Sequence, residues 1–336
     1  MAKPIYARDL SQLFGGHFWF HYSGIPEQAL AYWQWLQFAS LEGENIGQKP
    51  LYINVDETSI AFMTGLKGTI AKPCKGKRAR ETASLSQRRN NFTLMAAIAP
   101  EPAIQAVLPQ FVLLNEHQIS KADLAAAVRS APANVHILRR RSSWCDNGVV
   151  RQYLSRLRAA MDVAAPDRYI LLILDCARAH IHNSVRDHAK RCRIRLIYCP
   201  AGTTKYLQPC DLQLFHPLKR AMEEVWRDRK TQHANLELTM RFRLSVLFEA
   251  MQHVLTGRPW DRAFHLAGVG NQRSVGRALL AALGWTHVPK ISVCPPALVD
   301  VAAIFPRRMK VDTMSYVYWH KWPLPEEVRC QLPCLD

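Results

Sequence analysis

Three aspartates lie where apolar runs give way to polar residues. Leu51-Tyr-Ile-Asn-Val55 runs into Asp56-Glu57-Thr58, and Tyr169 to Leu174 stops on Asp175. Ile194 to Tyr198 stops on Cys199-Pro200, followed by a Gly-Thr-Thr loop and then Asp211. Carboxylate oxygens are the preferred ligands of hard divalent cations such as Mg²⁺. Three of them brought to one point would make a cation site, so the question is which elements could bring them together. His180, His182, Cys192 and Cys199 offer a second set of metal-ligand types. Their spacing does not match that of zinc fingers, and the two cysteines flank an apolar run, so no zinc site is expected there.

Short Ile- and Leu-rich runs closed by turn residues suit strands buried in a parallel sheet. A carboxylate just past such a strand stands at the carboxyl edge of the sheet, where open α/β folds place ligands. The pattern predicts strands at Leu51–Val55, Ser59–Met63, Asn91–Ile98, Ala106–Leu114 (weakened by Pro109), Val135–Leu138, Tyr169–Leu174 and Ile194–Tyr198. Helices are expected between and around them. Pro26 to Ala39 carries Ala29, Tyr32, Trp33 and Leu36 on one face, with Trp35 and Phe38 off that stripe. Short helices are expected at Lys121–Arg129 and Asn183–Arg191. Val149–Met161 has Val150, Tyr153, Leu154, Leu157 and Met161 on one side, and Asp146 or Asn147 can cap it. From Asp211 the helical pattern returns, and Pro217 suggests that the long helix begins near that residue. Further helices are expected at Leu236–Leu255 and Pro259–Gly268. Early strands followed by helices and more strands give an α/β mixed sheet with helices on its faces.

The chain has 336 residues, 49% of them hydrophobic and 21% charged, which is ample for a buried core. The formal net charge of +17 points to an anionic partner, most simply nucleic acid. Cationic residues cluster at Lys67–Arg89, at Arg139-Arg140-Arg141 and at Arg186–Arg195. Nine cysteines without a CxxC pair, no signal-peptide pattern and no membrane-length apolar run lead to the expectation of a reduced, intracellular, non-membrane protein.

Leu207-Gln-Pro-Cys-Asp-Leu-Gln-Leu-Phe-His-Pro-Leu-Lys219, the strand-Asp175-x-x-x-x-His180 run and the Val55-Asp-Glu-Thr58 run resemble the DDE-type transposase domain of the pogo and jerky branch of the mariner superfamily. In that branch the third acid follows a leucine-glutamine-proline-x pattern about 35 residues after the second, and 35 residues separate Asp175 from Asp211 here. Weaker matches are Ser143-Trp144, Ala263-Phe264 and Ala267-Gly268-Val269. The resemblance covers roughly residues 50–270 and implies an RNase H-like fold, with residues 1–49 as a helical N-terminal extension and 271–336 as a proline-rich C-terminal extension. It implies Asp56, Asp175 and Asp211 as catalytic metal ligands, with Asp56 bridging two Mg²⁺ ions (or Mn²⁺ in their place). Glu57 and His180 would stand beside those ligands. The implied reaction is two-metal hydrolysis of a DNA phosphodiester followed by strand transfer. DNA is the implied partner, with Lys75, Lys77, Arg78, Arg80, Arg88, Arg89, Arg139, Arg140, Arg141, Lys205 and Lys219 expected on its phosphates. A nuclear location and a homodimer are further expectations. The pattern departs from the branch at Cys176, where asparagine is common. No helix-turn-helix module is read ahead of the first strand, which predicts weak sequence specificity. The alternative is a catalytically idle, transposase-derived DNA-binding or scaffold protein.

Overall fold

The computed structural model describes residues 25–60, 91–232, 239–256, 258–270 and 275–288. Lys75, Lys77, Arg78, Arg80, Arg88 and Arg89 lie outside the described residues, as does the proline-rich tail from Pro289. In chain order the elements are α1 (Ile25–Asn45), β1 (Lys49–Ile60), β2 (Phe92–Ile98), α2 (Pro102–Gln105), β3 (Gln110–Asn115), α3 (Lys121–Ser130) and β4 (Val135–Arg140). Then come α4 (Asn147–Ala164), β5 (Arg168–Leu174), α5 (Asn183–Arg191), β6 (Ile194–Tyr198) and α6 (Thr204–Leu207). A π-helical turn, Cys210–Leu214, leads into α7 (Phe215–Gln232), followed by α8 (Met240–Met251), α9 (Asp261–Leu266) and α10 (Arg277–Leu283).

The strands form one sheet in the order β4-β3-β2-β1-β5-β6. β2 runs antiparallel to β1 and β3, whereas β1–β5, β5–β6 and β3–β4 are parallel. An antiparallel meander, with two parallel strands added beyond its first member, is the RNase H-like arrangement; β4 widens it at the far edge. The fold is therefore the helix-flanked mixed sheet expected from the sequence. The crossover through α4 does not join neighbours: it carries the chain from edge strand β4 to β5, on the other side of β1.

The center of the sheet is dry. Ile170 to Leu174 are buried throughout, as an apolar run without alternation requires when helices cover both faces. α4 contributes Val149, Val150, Tyr153, Leu154, Leu157 and Met161 to the core, and Asp146 caps it by accepting the Val149 N–H at 2.9 Å. α1 is buried on more than one side, including Tyr32, Trp33, Trp35 and Phe38, and packs against β1, β5 and β6. It also brings one acid inside. Glu42 is 1% exposed, and its Oε2 lies 3.0 Å from Nε of Arg195, a β6 residue that is fully enclosed. The Tyr169 hydroxyl donates to the same oxygen at 3.3 Å. Arg195, read from sequence as part of a surface cation cluster, is thus an internal ion-pair partner of α1.

The chain after α8 returns to α1. Trp33 Nε1–H donates to the Ala267 carbonyl at 3.0 Å, and the Trp33 and Trp285 rings lie 6.5 Å apart. Gly268 has φ +74, and a Cβ there would meet the Trp33 indole at 2.6 Å, so both its backbone conformation and the close approach require glycine.

Candidate active site

The acidic site is built by register. β5 pairs in parallel with the first half of β1, ending at Asn54↔Ile173, and two more residues on each strand reach Asp56 and Asp175. β1 continues past that point because β2 pairs with its second half, from Asn54↔Ile98 to Ile60↔Phe92. Asp56 therefore sits inside one continuous strand, not in the turn between two strands that the sequence suggested. Asp211 enters from the π-helical turn. The long helix starts at Phe215, two residues before Pro217. A proline ring collides with the carbonyl four residues back in a regular α-helix, and the widened turn at 210–214 precedes that position.

The three acids share one electrostatic environment. Burial first, then the charges of Glu57, Asp211 and Asp175, push the Asp56 carboxyl well above the usual carboxylate range, against a 2.8 Å hydrogen bond from the Glu57 N–H. Asp211 is an exposed residue, and partial desolvation of its carboxyl, with the charge of Asp175 adding to it, raises it more modestly; Thr204 and Lys219 oppose the rise. Burial pushes Asp175 the same way, but His180 and the Ala177 N–H (3.0 Å) outweigh it and hold the carboxyl below its ordinary value.

His180 joins two strands of the site. Its Nδ1–H donates to Asp175 Oδ1 at 2.5 Å and its Nε2–H to Glu57 Oε1 at 3.0 Å. Both partners are carboxylates, which accept when ionized, so both ring nitrogens carry protons and the ring is an imidazolium. Burial alone would lower its proton affinity, but the two acids raise it well above the usual histidine value. Burial likewise pushes Glu57 up, and His180 and Cys145 bring it back below its ordinary range. The Cys145 thiol completes the group: donor atoms of Glu57, Cys145 and His180 all lie within 4.8 Å of one another. Those ligand types could hold a soft cation. Here burial pushes the Cys145 thiol up to about 12, and the imidazolium already supplies the positive charge. His182 and Cys199 are spent elsewhere. His182 Nδ1 accepts the Ser184 N–H at the start of α5, and Cys199 Sγ lies 3.6 Å from Thr203 Oγ1.

The other expected residues are more dispersed. Arg139 donates to the backbone carbonyls of Ile119 and Glu116, whereas Arg140 pairs with Asp146 at 2.5 Å. Arg141, Lys205 and Lys219 are exposed; Lys219 is near enough to Asp211 to lower its carboxyl, and Lys205 lies 4.7 Å from the Tyr206 ring center. Cys176 donates to the Cys199 carbonyl at 3.2 Å. Sequence reasoning missed Cys145 and Asn54. Nothing in the sequence marks Cys145. Asn54, in contrast, is a polar residue inside an apolar run, and it is fully buried; a buried amide needs partners, and that was a readable signal.

Fold and site together define an RNase H-like domain with a convergent cluster of acids. The profile of the DDE superfamily endonucleases matches residues 95–254, a stretch that includes Asp175 and Asp211 and begins within β2. The core of the chain is thus similar in sequence to DDE superfamily endonucleases. Over 233 residues the chain is 27% identical to the MFS-type transporter clz9 of Cochliobolus lunatus; the match covers 69% of this chain and spans about a quarter (25%) of that protein. Among the described residues no helix is long and apolar enough to cross a membrane. Among solved structures, the Mos1 transposase paired-end complex with left transposon end is similar over 78% of this chain and 69% of its own, at 14% identity and TM-score 0.39. The Mos1 transposase catalytic domain with raltegravir and Mg is similar over 75% and 98%, at 12% identity and TM-score 0.35.

Proposed function

We propose that residues 50–270 form a divalent-metal-dependent DNA endonuclease or transposase domain, with Asp56, Asp175 and Asp211 as its catalytic acids. One observation carries this reading: three carboxylates from separate segments converge at one sheet edge, where desolvation and their mutual repulsion raise the proton affinity of Asp56 and Asp211. A donor set made of carboxylate oxygens fits Mg²⁺ or Mn²⁺. Bound there, such ions would supply Lewis acidity for activating a water or 3′-hydroxyl and for stabilizing the leaving oxygen. The chain's own contribution is positional. β1 and β5 fix two acids side by side, the π-helical turn presents the third, and His180 holds the Asp175 and Glu57 carboxylates through its two N–H groups. Mos1, whose structures are similar to this chain, is a transposase, and its paired-end complexes include a transposon end, Mg or Mn. DNA as substrate accords with the +17 charge, and acting on it would call for a nuclear location.

The loop between β4 and α4 is the part of the site rim best suited to DNA. Trp144 is 81% exposed, while its neighbor Cys145 reaches Glu57 and His180. The loop is held in shape: Arg140 contacts the Trp144 carbonyl and Asp146, and the Trp144 N–H donates to Ser142 Oγ at 3.2 Å. An exposed indole on a loop whose backbone is held in this way is suited to stacking on an unpaired base of a strand whose phosphates approach the acids. Trp144→Ala is expected to weaken binding of a single-stranded oligonucleotide roughly tenfold, the scale of one lost base–aromatic stack. Fully paired duplex should bind almost as before. Fluorescence anisotropy with both labeled DNAs checks this, and equal losses for the two would reject the stacking role.

The test of the whole reading is nicking of supercoiled plasmid by the purified chain, with Mg²⁺ or Mn²⁺ and with a chelator. Metal-dependent nicking supports it. A second reading, an idle DNA-binding domain, is favored by the imidazolium of His180, which already neutralizes part of the acidic cluster. DNA binding without nicking under either ion would select it.

A further inference from the structure

Asn54 touches all three acid-bearing segments without being one of the acids. It lies on β1 two residues before Asp56. Its Nδ2 donates to the Ile173 carbonyl at 3.0 Å, two residues before Asp175. Its Oδ1 accepts the Cys210 N–H at 2.7 Å, one residue before Asp211. Around this amide the Cys210 thiol contacts the Asn54 and Ala96 carbonyls at 3.7 and 3.8 Å, so β2 is tied in as well. The side chain is fully buried.

Two physical points separate this from ordinary core packing. The first N–H groups of a helix have no partner within it, and the turn carrying Asp211 has no side-chain cap of its own because Pro209 precedes it. Asn54 supplies that cap from 156 residues away. The amide orientation is also forced: only the oxygen can face an N–H and only the nitrogen can face a carbonyl, so one planar group sets the separation between β5 and the π-helical turn. We infer that Asn54 is a positioning residue that makes the three acids one site, placing Asp211 relative to the Asp56–Asp175 pair. This rests on the endonuclease reading given above, and its consequence is specific. Losing Asn54 leaves Asp56 and Asp175 in register through the strand ladder but frees the third acid.

Asn54→Ala and Asn54→Asp in the full chain test this. Aspartate keeps an acceptor for Cys210 and loses the donor to Ile173, so it provides a second variant should alanine fail to fold. Both are expected to melt cooperatively and to keep the KM for DNA, while kcat falls and the Mg²⁺ half-saturation concentration rises by about 10- to 100-fold, as when groups that orient metal ligands are removed. Mn²⁺ should recover more activity than Mg²⁺, which demands near-ideal octahedral geometry. A folded variant with wild-type kcat and wild-type metal half-saturation would overturn the inference and leave Asn54 a packing residue. Amide hydrogen exchange gives a readout free of activity. Faster exchange at Cys210–Leu214 in the variant, with β1 and β5 unchanged, supports the tie, and wild-type protection there overturns it. If the wild-type chain nicks no DNA, the endonuclease reading fails, while direct Mn²⁺ titration and the exchange pattern still decide the role of Asn54.

Discussion

Asp175→Asn is expected to lower metal-dependent nicking by at least about a thousandfold, the equivalent of ~4 kcal/mol of lost transition-state stabilization. Asparagine is nearly isosteric, and its carbonyl oxygen can still accept from the Ala177 N–H and from His180. Folding is therefore expected to survive, and the loss isolates the charge. Its removal has two consequences. A hard cation loses an anionic ligand, and the His180 imidazolium loses one of the two carboxylates that hold its second proton. Single-turnover nicking with saturating DNA, run beside Asp56→Asn and wild type, measures the effect, with thermal melts confirming the fold. Nicking retained within a few-fold by Asp175→Asn would remove Asp175 from the chemistry. The same assay with Asp56→Asn alone abolished would point to a site built around Asp56 and Glu57.

The largest stability effect is expected far from the acids, at Glu42. Glu42 and Arg195 are 1% and 0% exposed, and a second contact joins Arg195 Nη2 to Glu42 Oε1 at 3.5 Å. Truncating one member of such a pair strands the other charge in a dry interior. Glu42→Ala should therefore cost about 3–5 kcal/mol. Replacing both members by apolar residues of similar volume removes the desolvation penalty together with the attraction, so Glu42→Met with Arg195→Met should recover most of that loss. Urea denaturation of the three proteins measures this. If the double variant is no better than the single one, the Tyr169 hydroxyl and the fit of the α1–sheet interface, rather than the stranded arginine, account for the damage.

Much of this was legible in the chain because apolar runs announce buried strands. β6 and α5 fall on the predicted residues, and β5 and α4 differ by a residue or a turn at their ends. The unbroken β1 was not legible. Its length reflects two different partners, β5 on one half and β2 on the other, and a strand's own sequence does not say where its neighbors stop. Arg195 was misread for a related reason. Within the Arg186–Arg195 cluster it looked like an ordinary surface charge, although an arginine inside Ile-Arg-Leu-Ile is a signal that a buried partner is needed. The triad of acids was readable from spacing and resemblance, but the links among Asn54, Ile173 and Cys210 join residues more than a hundred positions apart, and no local pattern carries them.

The contact between Trp33 and Ala267 has a temporal side. During synthesis α1 leaves the ribosome before residues that satisfy Glu42 and Trp33: Arg195 follows it, and Ala267 and Gly268 follow later still. After docking on β1, an apolar helix of this kind must still wait for these later partners, an interval in which chaperones act. A fragment limited to the stretch shared with the DDE superfamily endonucleases, residues 95–254, would lack α1, β1 and the returning segment. Expression trials that trim the chain inside Ile25 or Trp285 are therefore expected to expose the α1 interface and yield aggregate.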